Sequence, residues 1–176
     1  MSGLIDKIKS GSHKAIATGA SISSTVALKE KNPEQGTVVI SQLTGKNIIV
    51  GVPGAFTPPC SSQVPGYIEN AQAFVEKGVA GIYIVAVNDA FTTQAWKEKL
   101  TGGAEAPPAV HFLADDTGAF TKEIGMSFDA TGLLGGPRSQ RYVAVLDGPI
   151  VKQIYVEDAA PSVTVTKAEN VLQALN

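Results

Sequence analysis

Continuous apolar runs alternate with amphipathic stretches along this chain, and the alternation predicts strands and helices in turn. Residues 47–52, 81–87 and 110–115 are nearly unbroken apolar runs, typical of strands buried on both faces of a sheet. Between the first two runs, apolar residues recur at three- and four-residue spacing, which predicts one buried helix face. The residues of that face are Val64, Tyr67, Ile68, Ala71, Phe74 and Val75.

Proline, glycine and short polar residues predict where the helices bend, begin and end. Pro65 lies inside the first amphipathic pattern and should kink or restart that helix. Gly78 is placed to end it. Either Asn88 or Asp89 can cap a second helix over residues 90–100.

Two hairpins are predicted at the ends of the chain. Residues 22–28 and 37–43 read as short strands around a polar turn. Residues 141–157 read as a second hairpin that turns at residues 147–148, an Asp-Gly pair.

Two further helices complete the predicted order. Residues 118–125 should form a short helix that ends in glycine. The last helix should begin at a capping box formed by Thr166 and Glu169. Its buried residues should be Val171, Leu172 and Leu175.

This order predicts an α/β domain, with a mixed central sheet that helices cover on both faces. We expect residues 1–176 to form a single domain, with the first dozen residues loosely held. Ligands of such sheets bind beyond the carboxyl ends of the parallel strands. The segment that follows residues 47–52 is therefore the first place to look for chemistry.

Composition and charge narrow the function classes. The net charge is −2 and no apolar run approaches the length of a membrane span, so we expect neither a nucleic-acid nor a membrane partner. The chain has one cysteine, no N-glycosylation sequon and no leader-like start, which favours a reducing compartment, the cytoplasm. The final residues, QALN, are not a peroxisomal address.

The single cysteine, Cys60, is the strongest candidate for chemistry. It ends the stretch PGAFTPPC and should lie in the first turn of a helix. Free backbone N–H groups and the helix dipole favour a thiolate there, and the thiolate is the reactive form of cysteine. From the residues alone, a small buried hydrophobe remains an equal interpretation.

Other chemistries find less support. A cysteine hydrolase needs a histidine base, but His13 lies in the loose start of the chain and His111 lies in a predicted strand. His111, Asp115 and Asp116 have no recognised metal-ligand spacing, and the acidic pair fits a turn or a helix cap. Residues 132–136 are glycine-rich but lack the Lys-Ser/Thr of a P-loop, so we expect a flexible loop near the pocket.

The stretch PGAFTPPC resembles the P-x-x-x-T-x-x-C motif of the peroxiredoxins, and its GAFTP wording is similar to the type II, or type-5-like, branch. Four other segments resemble the same family in the same order. They are VPGYIENAQAFVEKGV, IYIVAVNDAFTTQAW, FLADDTGAFTKEIG and RYVAVLDG. Together they cover residues 48–148.

The resemblance implies a thioredoxin-like fold with an N-terminal β-hairpin and a thiol peroxidase activity in antioxidant defence and redox homeostasis. It implies that Cys60 attacks hydrogen peroxide or an alkyl hydroperoxide and becomes a sulfenic acid. The Thr57 hydroxyl and the Cys60 N–H would act as donors, Arg141 would supply a fixed positive charge, and Pro53 would shield the thiolate. Arg138 is expected to be chiefly a surface loop residue.

The resemblance also implies how the cycle closes. No cofactor or metal is expected, and with no second cysteine the reductant should be an external thiol, glutathione with glutaredoxin or thioredoxin. A homodimer is expected from the type II branch. The alternative is a redox sensor or binding module of the same fold, which would be oxidised without turnover.

Two departures from the family pattern concern the pocket. Pro59 precedes the cysteine and removes one backbone donor. The segment CSSQVPGY is one residue shorter than usual and lacks a histidine that many relatives carry about one turn after the cysteine.

Overall fold

The computed structural model describes residues 13–176, so the prediction of a loosely held start falls on residues outside the described part. Its helices are α1 (Pro58–Glu69), α2 (Ala71–Glu76), α3 (Ala90–Leu100), α4 (Ala119–Glu123), α5 (Thr131–Leu134) and α6 (Ala168–Ala174). Its strands are β1 (Ala27–Leu28), β2 (Val38–Val39), β3 (Lys46–Val52), β4 (Val79–Ala86), β5 (Val110–Ala114), β6 (Ser127–Asp129), β7 (Pro137–Ser139), β8 (Tyr142–Asp147) and β9 (Ile150–Val156).

A five-stranded mixed sheet with the order β5-β4-β3-β8-β9 forms the centre of the protein. Strands β3, β4 and β5 pair in parallel, whereas β8 pairs antiparallel with both β3 and β9. The predicted α/β class and mixed sheet are therefore confirmed. The continuous apolar runs fit this position, because β3 and β4 are covered on both faces.

Each face of the sheet carries its own hydrophobic core. On one face, Tyr67 of α1, Phe74 of α2 and Trp96 of α3 are buried with the side chains of α6. On the other face, Phe120 and Tyr142 pack with residues of the N-terminal segment. No helix among residues 13–176 is long and apolar enough to cross a membrane.

Both predicted hairpins are present, but with different bounds. At the start, only β1 and β2 pair, and residues 40–42 form a 3₁₀ turn that buries Ile40 in place of a longer strand. At the end, Asp147 still pairs with Ile150, so the turn falls at residues 148–149, one position later than predicted.

The helix after Cys60 breaks later than Pro65. The chain remains helical through Pro65, whose missing N–H leaves only the Ser61 carbonyl without its helical donor, and the break falls at Asn70. Val75 is 42% exposed and does not belong to the buried face. Gly78 follows the C-cap of α2 with φ 84°, as predicted.

The two alternatives for the cap of α3 have separate roles. Asp89 caps α3 by accepting a bond from the Thr92 N–H, at 2.8 Å. Asn88 instead accepts a bond from the Ala55 N–H, at 2.9 Å, and so ties the end of β4 to the turn before Cys60.

The predicted capping box at the last helix is wrong. Helix α6 begins at Ala168 with Lys167 at the N-cap, and no side chain caps it. The Thr166 hydroxyl is buried and donates to the Glu157 carboxylate at 2.8 Å, and Thr166 lies one residue before the N-cap, too early in the chain to cap α6. Val171 and Leu175 are buried as predicted, and Leu172 is half-buried.

The predicted flexible loop at residues 132–136 lies within a segment of regular structure. Strands β6 and β7 form a two-stranded antiparallel sheet, and α5 lies between them where a flexible loop was expected. The expectation that this segment lies near the pocket agrees with the structure, because Leu133 and Leu134 line it.

Candidate active site

The turn between β3 and α1 places Cys60 beyond the carboxyl ends of the parallel strands. Thr57 is the N-cap of α1, and Pro58 and Pro59 are its first two residues, where a helix needs no N–H from the chain. Phe56 has φ 65°, a left-handed conformation that a non-glycine residue adopts at some cost. The turn is therefore sharp and stiff, and Cys60 lies in the first helical turn, as predicted.

The two prolines leave one free backbone donor at this helix end. The Thr57 N–H points to the Gly54 carbonyl at 3.4 Å, and Pro58 and Pro59 have no N–H. Within residues 13–176, the Cys60 N–H has no backbone acceptor. It remains available to a ligand beside the sulfur.

Arg141 lies against the sulfur of Cys60. Its Nη1 and Nη2 atoms are each 3.4 Å from Sγ, and both side chains are buried, with exposed fractions of 1% and 0%. A cysteine that served only as a small hydrophobe would not be paired with a buried guanidinium. The guanidinium is a permanent positive charge, so it can stabilise negative charge that develops at the sulfur or at an oxygen beside it.

The other partners of Arg141 are neutral. Its Nε and Nη2 donate to the Ala160 carbonyl at 3.0 and 2.8 Å, and its Nη1 donates to Gln63 Oε1 at 2.6 Å. No carboxylate among the described residues forms an ion pair with it. Its positive charge is thus uncompensated where it meets Cys60.

Gln63 is a site residue that the sequence analysis missed. It is buried on the same side of α1 as Cys60, and its Nε2 donates to the Thr166 carbonyl at 3.2 Å. The sign in the sequence was a polar residue three positions after Cys60, beside the apolar face of α1.

A carboxylate holds the loop that carries these partners. Glu157 accepts bonds from the N–H and hydroxyl groups of Thr164 and Thr166. Burial alone would raise the pKa of Glu157, but these hydrogen bonds outweigh it and lower the pKa below its usual value. The loop between β9 and α6 is thereby fixed against Gln63 and Arg141.

Pro53, Thr57 and Arg141 line one pocket of about 580 Å³. The Thr57 hydroxyl donates to the Gly54 carbonyl at 2.9 Å, so its oxygen is free to accept a bond, whereas the sequence analysis expected a donor. The rest of the lining is largely apolar, with Ala130 and Leu133 among it. The pocket can hold a small polar group beside Arg141 and an apolar group farther out.

Arg138 is not the surface loop residue that was expected. It lies half-buried in β7, and its Nη2 donates to the Leu134 carbonyl at 3.0 Å. It does not contact Cys60 in the way that Arg141 does.

The residues considered for other chemistries have structural partners. His111 pairs with Glu30 at 2.9 Å and stacks on Tyr83 with ring centroids 4.8 Å apart. Asp115 accepts bonds from backbone N–H groups at the start of α4, and Asp116 pairs with Lys29. Neither His13 nor His111 lines the pocket of Arg141.

The only tryptophan of the sequence bonds to the residue that follows the cysteine. The indole N–H of Trp96 donates to the Ser61 hydroxyl at 3.1 Å, and Ser61 follows Cys60 in α1. The Trp96 ring is buried and meets Phe112 edge-on, with centroids 5.7 Å apart.

Known proteins match this chain over most of its length. The Redoxin family model matches residues 13–172. "Peroxisomal membrane associated protein 20" of Schizosaccharomyces pombe is 50% identical over 160 residues, which cover 91% of this chain and 99% of the relative. "Peroxiredoxin-2C" of Oryza sativa subsp. japonica is 39% identical over 133 residues, 74% of this chain and 79% of that one.

Solved structures are similar over nearly the whole chain. Reduced Prx3 of Vibrio vulnificus in complex with H₂O₂ has a TM-score of 0.80 at 37% identity and covers 92% of this chain and 99% of its own. Peroxiredoxin 5 of Alvinella pompejana has a TM-score of 0.78 at 27% identity, with 91% and 97% covered.

Proposed function

This chain belongs to the Redoxin family as a type II peroxiredoxin, a thiol-dependent peroxidase of antioxidant defence, and from that premise we propose that Cys60 is its nucleophile, with Thr57 and Arg141 completing the catalytic site. The observation that carries the proposal is the pair of Arg141 nitrogens 3.4 Å from the Cys60 sulfur. Pro53, which lines the pocket, shields the thiolate from water.

The reaction follows from the donors around the sulfur. The Cys60 thiolate attacks the terminal oxygen of the peroxide, an S–O bond forms and the O–O bond breaks. Sulfur is oxidised to the sulfenic acid, and the leaving oxygen takes a proton from solvent to become water or an alcohol. The Cys60 N–H and Arg141 stabilise the charge that develops on oxygen, while the Thr57 oxygen accepts the hydrogen bond of the attacked hydroxyl.

Peroxiredoxins use no prosthetic group and draw their electrons from an external thiol. We propose glutathione with glutaredoxin, or thioredoxin, as that thiol, because the sequence has no second cysteine to resolve the sulfenic acid. Family membership favours turnover over a sensor that is oxidised once.

The test is a steady-state assay with hydrogen peroxide and an alkyl hydroperoxide, run with each reductant in turn. We expect catalytic turnover with at least one reductant and none in Cys60→Ser. One oxidation per chain without turnover, or an active Cys60→Ser variant, would reject the proposal.

We also propose a homodimer formed through the loops around the pocket. Phe56, Phe91 and Leu133 are 50%, 73% and 87% exposed at this end of the sheet, and large apolar side chains at that exposure favour a protein contact. Sedimentation analysis of the reduced protein should give twice the chain mass. A monomer at micromolar concentration would contradict this assembly.

The proposed location is the cytoplasm, on the grounds of the single cysteine and the missing glycosylation sequon. One relative is named for the peroxisomal membrane. Imaging of the tagged native protein distinguishes the two sites, and an organellar signal would reject the cytoplasm.

A further inference from the structure

Arg138 lies between two walls of the pocket. It stands opposite Phe128 in the β6–β7 sheet, and its Nη2 donates to the carbonyl of Leu134, the last residue of α5. On its other side it meets the turn before Cys60, where a Cβ built on Gly54 would stand 3.2 Å from Arg138 Nη1. One guanidinium therefore spans the gap between α5 and that turn.

The surroundings of Arg138 differ from those of an ordinary surface arginine. Among residues 13–176, the ion pairs are those of Lys29 with Asp116 and His111 with Glu30, so no described carboxylate pairs with Arg138. The guanidinium instead donates to the carbonyl at the end of α5, where the last carbonyls of a helix lack helical partners and a cation is favourable. Holding a half-buried arginine there costs side-chain entropy, which the contact must offset.

The two walls that Arg138 joins both contribute residues to the pocket. Gly54 holds Thr57, because its carbonyl accepts bonds from the Thr57 hydroxyl and N–H. The space above the Gly54 Cα is shared by Thr57 Cγ2 and Leu134 Cδ1, at 3.2 and 3.8 Å from a built Cβ. Thr57 and Leu134 line the same pocket, so the position of Arg138 sets how α5 stands relative to Thr57.

We propose that Arg138 is a positioning residue that determines specificity: it fixes α5 as the wall against which the organic part of an alkyl hydroperoxide packs. It acts through Leu134 and Gly54 and does not touch the reacting atoms. This inference rests on the proposed function of the pocket. Hydrogen peroxide has no organic part, so its reduction depends on the residues around Cys60 and little on α5.

The experiment compares kcat/KM for cumene hydroperoxide and for hydrogen peroxide in the wild type, Arg138→Ala and Arg138→Lys. We expect Arg138→Ala to lower kcat/KM for cumene hydroperoxide by about tenfold, the cost of losing part of an apolar pocket contact, and that for hydrogen peroxide by less than about threefold. Arg138→Lys should recover part of the ratio, since an ammonium can reach the Leu134 carbonyl but cannot span to Gly54 as well. The matched control is Lys152→Ala, which removes an exposed cation of β9 and should leave the ratio unchanged.

The proposal would be overturned if Arg138→Ala left the ratio of the two kcat/KM values unchanged, whether because neither value fell or because both fell equally. A merely structural role would lower both values together and would be accompanied by a lower melting temperature. A second measurement needs no peroxidase turnover: the rate of Cys60 alkylation by N-phenylmaleimide divided by the rate with iodoacetamide. Arg138→Ala should lower this alkylation ratio, because the bulky apolar reagent needs the α5 wall and the small one does not. A wild type inert to both peroxides would reject the proposed function, while the alkylation ratio would still decide the role of Arg138.

Discussion

At the scale of single residues, the Cys60 site depends on how Arg141 is held. The guanidinium donates to Ala160 and Gln63, and only its remaining face meets the sulfur. Its geometry is thus set by hydrogen bonds to neutral groups of the chain itself. A lysine in its place would keep the charge but could not satisfy the same set of acceptors.

Replacing Arg141 by alanine should lower kcat/KM for hydrogen peroxide by about 10²–10³, the usual cost of removing a donor from developing charge on oxygen. The kcat/KM of Arg141→Lys should lie between the values of the wild type and of Arg141→Ala. Stopped-flow peroxide kinetics measure the effect, with circular dichroism to show that the fold persists. Near-wild-type kinetics in Arg141→Ala would exclude the role assigned to this residue.

The neutrality of Gln63 gives a second prediction. Gln63→Glu keeps an acceptor for Arg141 but places a negative charge beside the guanidinium, which partly cancels its positive charge. We expect kcat/KM for hydrogen peroxide to fall by about tenfold, because Arg141 then stabilises less of the charge that develops on oxygen. Gln63→Ala is the control for lost packing, and wild-type kcat/KM in Gln63→Glu would show that the net charge of this pair does not matter for the reaction.

Part of this site can be predicted from the sequence, because Pro53, Thr57 and Cys60 lie in one short motif. Gln63 could not be identified, since its role depends on a carbonyl 103 positions away, at Thr166. The direction of the Thr57 hydrogen bond was also beyond reach, because it depends on the backbone of Gly54 in a turn with an unusual conformation at Phe56.

At the scale of elements, a local sequence pattern predicted a helix or strand correctly where tertiary contacts did not change the local structure. The buried strands agree with their apolar runs because the sheet is covered on both faces, and α3 agrees with its predicted cap because Asp89 bonds to a residue of the same turn. Thr166 and Glu169 formed an equally regular local pattern, yet Thr166 lies one residue before the N-cap of α6 and its hydroxyl donates to Glu157, which follows β9. Helix α5 was too short to produce a periodic pattern at all.

The hydrogen bonds from Thr164 and Thr166 to Glu157 predict how the stability of the protein changes at low pH. Since its folded pKa is lowered, ionised Glu157 contributes stability that is fully present above its unfolded pKa of about 4.5 and is lost as the pH falls through the folded value. In Glu157→Gln this contribution is missing at neutral pH. Urea unfolding at pH 7 and at pH 4 should therefore show a smaller pH difference in the variant than in the wild type.

The control for this experiment is Asp158→Asn, which alters an exposed carboxylate next along the chain. It should preserve the wild-type difference between the two pH values. An identical pH difference in Glu157→Gln would mean that the hydrogen bonds of Thr164 and Thr166 do not stabilise the charged form.

At the scale of the whole molecule, one thiol must carry the full redox cycle. Cys60 treated with one equivalent of peroxide should persist as a sulfenic acid, and excess peroxide should drive it to the sulfinic form. Added glutathione should trap a mixed disulfide and protect activity. Intact-mass spectrometry with and without glutathione separates these products.

A rapid disulfide-linked dimer without added thiol would contradict this cycle. The burial of Cys60 disfavours that outcome, because both buried sulfurs of a dimer would have to come within bonding distance, whereas glutathione needs to reach only one.

The hydrogen bond between Trp96 and Ser61 has a consequence for how this protein can be observed. Indole emission responds to charge and polarity at the ring nitrogen, and this sequence has a single indole, one residue's hydroxyl away from the reacting cysteine. When the sulfur gains an oxygen, the first turn of α1 must adjust around it, and the Ser61 hydroxyl moves with that turn. The intrinsic fluorescence of the protein should then change in step with oxidation and recover on reduction. Trp96 emission would therefore report the oxidation state of Cys60 in each chain without any added label.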